Sequence, residues 1–141
     1  MRGARFASAL FALAFFATSG SALGDATLHT VCGLDDARLK QLEGQVIIVE
    51  GMYVDFYHGR ALFDKACPKV MVEVFIPRDV DQHPDIVAFR DAWLSRPSGH
   101  ELYGRFVGRI ASHAVPTDWG DATVLFLDIE SIADVRLVAR P

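Results

Sequence analysis

Two cysteines and five histidines are the side chains here whose chemistry could go beyond packing. Cys32 and Cys67 are an even pair, which an oxidising compartment closes into a disulfide. The bond would close a loop of ~35 residues and contribute roughly 3 to 4 kcal/mol in the chain-entropy description. A redox or metal-binding pair is the alternative, but neither cysteine has a Cys-x-x-Cys partner. His29, His58, His83, His100 and His113 are scattered without metal-ligand spacing, and only folding could bring His58 and His113 together. No nucleophile elbow, zinc-type histidine pair or phosphate-cradling glycine loop occurs. Catalysis is therefore not expected, and neither is a cofactor or a metal.

Two further constellations invite a functional reading and fail it. Asp79-Val80-Asp81-Gln82-His83-Pro84-Asp85 begins like a calcium loop, yet Pro84 stands where that loop turns on glycine and Arg90 where it needs a bidentate glutamate. The segment reads instead as a solvated acidic lead-in to a helix whose dipole favours Asp85. Tyr103, Arg105 and Arg109 form a stripe along one strand, and pairing with nearby carboxylates accounts for such a stripe on an acidic protein.

The start of the chain supplies the compartment. Arg2 and Arg5 precede an apolar run from Phe6 to Ala17 and a small-residue stretch from Thr18 to Gly24, the three parts of a secretory signal peptide. Twelve apolar residues fall short of the ~20 that a membrane-spanning helix needs. Cleavage is expected after Ala22 or Gly24, with residues 25–141 as one domain in the periplasm or secreted. Loss of the two arginines takes the net charge from −4 to about −6, which disfavours nucleic acid as a partner.

Periodicity then places the elements. Asp35 or Asp36 caps a short helix carrying Leu39 and Leu42, which Gly44 ends. Gln45 to Phe56 is a strong strand with Ile47, Val49 and Gly51 on one face, and a glycine there suits a strand that bends or admits another chain segment. Ala61–Asp64 and Val70–Ile76 are the second and third strands. His83-Pro84 opens a helix with Ile86, Phe89 and Trp93 on its buried stripe. Leu102–Ala111 alternates apolar or small with polar residues, Pro116 to Gly120 is a loop, and Thr123–Ile129 is a fifth strand before a break near Ser131.

This succession of three strands, a helix and two strands resembles the oligonucleotide/oligosaccharide-binding (OB) fold. The resemblance rests on Gly44 to Gly51, the helix after the third strand, and Gly104-Arg105-Phe106-Val107-Gly108. The chain also resembles exported bacterial OB-fold-like domain proteins of unknown function, in which a cysteine before the first strand is matched by a Cys-Pro after the second, here Cys67-Pro68. A mainly β, five-stranded OB-like barrel with a helix between strands three and four and a short N-terminal helix is thus the expected fold. The resemblance brings no catalytic residues with it.

It does imply a ligand face on strands two and three, flanked by the loops 55–60 and 112–121. These hold Tyr57, His58, Arg60, His113 and Trp119, rings and imidazoles able to stack on a sugar, a base or a peptide side chain. The commoner role for such residues is structural, with Tyr57 and Trp119 covering the barrel ends and His58 and His113 in polar turns. A non-catalytic binding module for a small ligand, glycan or peptide is the functional expectation. The alternative is an accessory protein docking onto a cell-envelope protein.

Overall fold

The computed structural model describes residues 25–141, so the expected signal peptide lies outside the described residues. Near the start of that range, β1 (Leu28–Thr30) leads through a short 3-10 turn (Val31–Gly33) into α1 (Asp36–Gln41). Asp35 caps α1 by accepting from the Arg38 backbone N–H at 2.8 Å, and Gly44 follows in the left-handed conformation that suits glycine, φ 83°. The chain then enters β2 (Val46–Phe56), which organises the sheet.

The alternation along β2 decides its faces. Ile47, Val49 and Tyr53 are buried, whereas Ile48 and Glu50 on the opposite face are partly solvated. One edge of β2 pairs antiparallel with β5 (His100–Thr117), from Val46 opposite Arg109 to Tyr53 opposite Leu102. Its other edge first carries β1, in parallel, and then β3 (Gly59–Phe63), from Met52 opposite Phe63 to Phe56 opposite Gly59. β3 pairs antiparallel with β4 (Met71–Phe75), and β4 runs parallel to β6 (Gly120–Ala139), which returns along β5. The chain is therefore mainly β, with one six-stranded sheet in which β2, β3, β4, β6 and β5 close a ring. The ring is not a regular barrel, and β1 adds a sixth strand to the five expected.

Gly51 explains how the N-terminal segment joins the ring. A Cβ there would stand 2.7 Å from Cγ2 of Val31, so the side chain of the 3-10 turn fills the space that any larger residue would need. Val31 and Leu34 are fully buried, and Cys32 between them is bonded to Cys67, with Cα atoms 5.4 Å apart. The disulfide expected from the sequence is thus present.

α2 (Pro84–Ser95) joins β4 to β5 and buries Ile86 and Phe89 in the same core as Phe106, Leu127 and Ile129. Asp85 in its first turn is more than a dipole partner. Its carboxylate accepts from the backbone N–H of Ile132 at 2.7 Å, tying the helix to β6. Asp85→Ala should cost about 1 to 3 kcal/mol in urea unfolding, because it leaves the amide of buried Ile132 without an acceptor. Asp85→Asn, which retains a carbonyl oxygen, should cost less.

Two boundaries differ from expectation. Ser112 to Thr117 belong to β5, and Gly120 to Ala122 to β6, so the expected loop 112–121 is a hairpin with its turn at Asp118-Trp119. The break near Ser131 is two irregularities within one strand. Val107 faces Ser131 while Gly108 faces Ile129, and a second shift lies between Tyr103 and Arg105, where Asp134 has φ 52°.

Candidate outer-face binding site

Residues of β3 and β4 that point away from the core form the platform. Met52, Phe63 and Met71 stand in one row across β2, β3 and β4, and Val54, Ala61 and Glu73 in the next, with Met52 and Ala61 themselves buried. Phe75 follows two residues beyond Glu73 and lies opposite Asp128 of β6. Met71 and Phe75, on either side of Glu73 along one strand face, are 49% and 43% exposed, a large apolar exposure for a single short strand.

His113 comes to this platform from the projecting β5–β6 hairpin. Its ring centroid is 5.0 Å from Phe75 and 5.1 Å from Phe126, in tilted and edge-on contacts. Nε2 donates to Asp128 Oδ1 at 2.7 Å, which fixes the imidazole orientation and leaves Nδ1 free of protein partners among the described residues. At its Met71 end the platform meets a groove of about 360 Å³ against α1, where Asp36 and Glu73 contribute carboxylates and Leu39 and Leu125 apolar contacts. The assembly offers ring faces, an imidazole and three carboxylates, the groups that stack on and hydrogen-bond to a hydroxylated ring.

The five residues expected to form the site do not come together. Tyr57 and His58 make the β2–β3 turn and meet edge-on at 4.7 Å. The β2–β5 register puts that turn beyond Tyr53 and Leu102, whereas His113 and Trp119 lie beyond Val46 and Arg109 at the opposite end. His58 and His113 therefore sit at opposite ends of the ladder. Tyr57 and Trp119 are 96% and 97% exposed, so neither covers a barrel end. Arg60 pairs with Asp55 at 3.8 Å and lines a separate cavity beneath α2.

Other candidates are accounted for by pairing. Arg105 bridges Glu50 at 2.9 Å and Asp134 at 3.0 Å, an arrangement that holds the Glu50 carboxyl below its ordinary range. Arg109 donates to the Gly44 carbonyl at 2.6 Å. Asp81 is bound to Arg90, and the one buried charged residue among those described, Glu101, meets Lys65 at 3.0 Å and Arg140 at 3.2 Å. Asp64 approaches Cys32 and Cys67, but those sulfurs are bonded to each other.

Phe75 and Phe126 were missing from the expected site, although a signal for Phe75 existed. Val72 and Val74 are buried, so Met71, Glu73 and Phe75 had to occupy the other face, and an aromatic residue on a solvated face has no packing reason to be there. No helix among the described residues is long and apolar enough to cross a membrane. No protein-family model matches this chain, and no curated protein or solved structure matches it either.

Proposed function

We propose that this chain is an exported, non-catalytic binding module of the OB type that holds a glycan on the outer face of β3, β4 and β6. The order of the ring supports the OB reading: a three-stranded meander, a helix, then two strands that close antiparallel onto β2 and parallel onto β4. Export, to the periplasm or beyond, is supported by the disulfide and by the Arg2 to Gly24 pattern. The observation that carries the ligand reading is the cluster of exposed Phe75 with half-buried His113 and Phe126, Asp128 lying behind the imidazole. Sugar rings would stack on Phe75 and Phe126 while hydroxyls reach His113, Asp128 and Glu73. Those carboxylates repel a phosphate backbone, so an oligonucleotide fits the face poorly.

Thermal unfolding of oxidised residues 25–141 with neutral and amino-sugar oligosaccharides tests this. A saturating glycan at ~100 times its dissociation constant should add about 2.7 kcal/mol and raise the midpoint, and Phe75→Ala should remove that rise. Binding that survives Phe75→Ala and His113→Gln would overturn the site. Stabilisation by basic peptides but by no glycan would transfer the face to a peptide ligand.

A second reading, docking onto a cell-envelope protein, is favoured by one observation. Tyr57 and Trp119 project almost fully exposed from turns at opposite ends of the β2–β5 ladder, as anchors for a large partner would.

A further inference from the structure

α2 packs against the end of the strand ring where β2 passes from β5 to β3, with Phe89 and Trp93 on Tyr53. A cavity of about 190 Å³ remains between the helix and the strands, with Ile76, Phe89, Trp93 and Leu94 as its apolar wall. It is separate from the outer face and takes no residue from it.

Tyr53 stands inside this end of the ring. It is 4% exposed, and three rings hold it: Phe89 at 4.9 Å and Trp93 at 4.8 Å edge-on, and Phe106 stacked at 6.3 Å. Nothing among the described residues bonds its hydroxyl, and no fully enclosed side-chain oxygen or nitrogen lacks a partner. The hydroxyl therefore opens into the cavity that Tyr53 lines. Burial pushes its pKa up to about 12, with Arg60 opposing and Asp55 adding to the effect, so it remains a neutral donor at physiological pH. The hydroxyl hydrogen has no protein acceptor among the described residues and reaches the cavity, where an oxygen of a bound ligand can accept it in place of water.

The rim supplies the complementary charge. Asp55 and Arg60 face each other across β2 and β3, two residues past the Tyr53–Leu62 pair and hence on its side of the sheet. Their contact is a single one from Nε at 3.8 Å, which leaves the terminal guanidinium N–H groups available. The other arginine on this cavity, Arg90, is bound to Asp81. One usable guanidinium beside one carboxylate admits a monoanion and disfavours a dianion.

The geometry points to a binding site for a small cyclic monocarboxylate, its carboxylate between the Tyr53 hydroxyl and Arg60 and its ring against Ile76 and Trp93. The size agrees: a cavity of about 150 Å³ accommodates benzene, so this one accommodates a single six-membered ring with a carboxylate at the open side. Unlike the outer face, this site is a half-open pocket sized for a single ring rather than for a polymer.

Benzoate is the probe. Titrated into oxidised residues 25–141 by calorimetry and by Trp93 fluorescence, it should bind one to one, and benzyl alcohol at least about tenfold more weakly, since it lacks the charge that Arg60 reads. Tyr53→Phe and Arg60→Gln should each weaken benzoate about tenfold or more while leaving the fold intact, because one retains the ring and the other alters a half-exposed side chain. Phe75→Ala should leave benzoate binding unchanged, which separates this site from the outer face. Equal affinity for benzoate and benzyl alcohol, affinity unaffected by both cavity variants, or no binding at millimolar benzoate would each overturn the assignment.

Discussion

Gly108→Ala should destabilise the oxidised protein by more than about 3 kcal/mol, a large fraction of what a domain of this size has to lose. The added Cβ would fall on the backbone carbonyl oxygen of Asp128 and within 2.9 Å of its carbonyl carbon, with Leu127 Cδ1 at 3.1 Å. A flexible side chain could turn away from such an intrusion, but a carbonyl held in a sheet cannot. β5 is fixed on its other edge by β2, where Ile47 faces Gly108, and β6 is fixed on its other edge by β4, where Phe75 faces Asp128. Relief would require opening the β5–β6 ladder at its irregularity, and with it the closure of the ring. Gly104→Ala is the control. There the nearest atom is a ring carbon of Phe106 at 3.3 Å, which can shift by a few tenths of an ångström, so its cost should be clearly smaller. Urea unfolding of both variants measures the difference. A Gly108→Ala protein within about 1 kcal/mol of the parent would mean that Gly108 and Asp128 are not in this register. Because Asp128 also orients His113, partial opening here should weaken the proposed glycan binding before it unfolds the chain.

The parts of this fold legible in the sequence are those where burial writes a period into it. β2 is readable because Ile47 and Val49 face the core while Glu50 does not, and α2 because Ile86 and Phe89 are buried one turn apart. The distal half of the β5–β6 hairpin is not readable in this way. From Ser112 to Thr117 the strand projects beyond its pairing with β2, buries little, and is held by backbone pairing such as His113 with Val124 and Thr117 with Gly120. A strand without a core side leaves no alternation, and Pro116 there reads as a loop. The apparent break near Ser131 has a related cause, since a bulge shifts which residues face inward and interrupts the period without ending the strand. The candidate site was obscured for another reason. Phe75, His113, Phe126 and Asp128 come from three strands, and His113 meets Asp128 across 15 positions of sequence, a proximity that hairpin register alone creates. The turn residues Tyr57 and Trp119 stood out as aromatic residues in loops, yet register sends them to opposite ends of the ladder.

Opening the Cys32–Cys67 bond is the other change with a large expected effect. It releases a loop that spans 35 positions, and chain entropy sets the loss at roughly 3 to 4 kcal/mol. The native state adds a second consequence, because Cys32 lies between Val31 and Leu34, two fully buried residues of the N-terminal plug. With the bond closed, Val31 is held against Gly51. With the bond reduced, the burial of Val31 and Leu34 and the three-residue β1–β2 pairing hold this segment without a covalent tether. Gly51→Ala exposes this coupling. Its Cβ would press on Val31 Cγ2 at 2.7 Å, a side-chain end that can retreat only if the turn carrying it can move. The substitution should therefore cost more in the oxidised protein, where the turn is tethered, than in the Cys32→Ser, Cys67→Ser protein, where it is not. Urea unfolding of the four proteins in this cycle yields the coupling directly. Equal costs in both backgrounds would show that the plug is seated by its own packing and that the disulfide acts on the unfolded chain alone. A smaller cost without the bond would show that the disulfide also positions Val31 in the folded ring, as the contact at Gly51 requires.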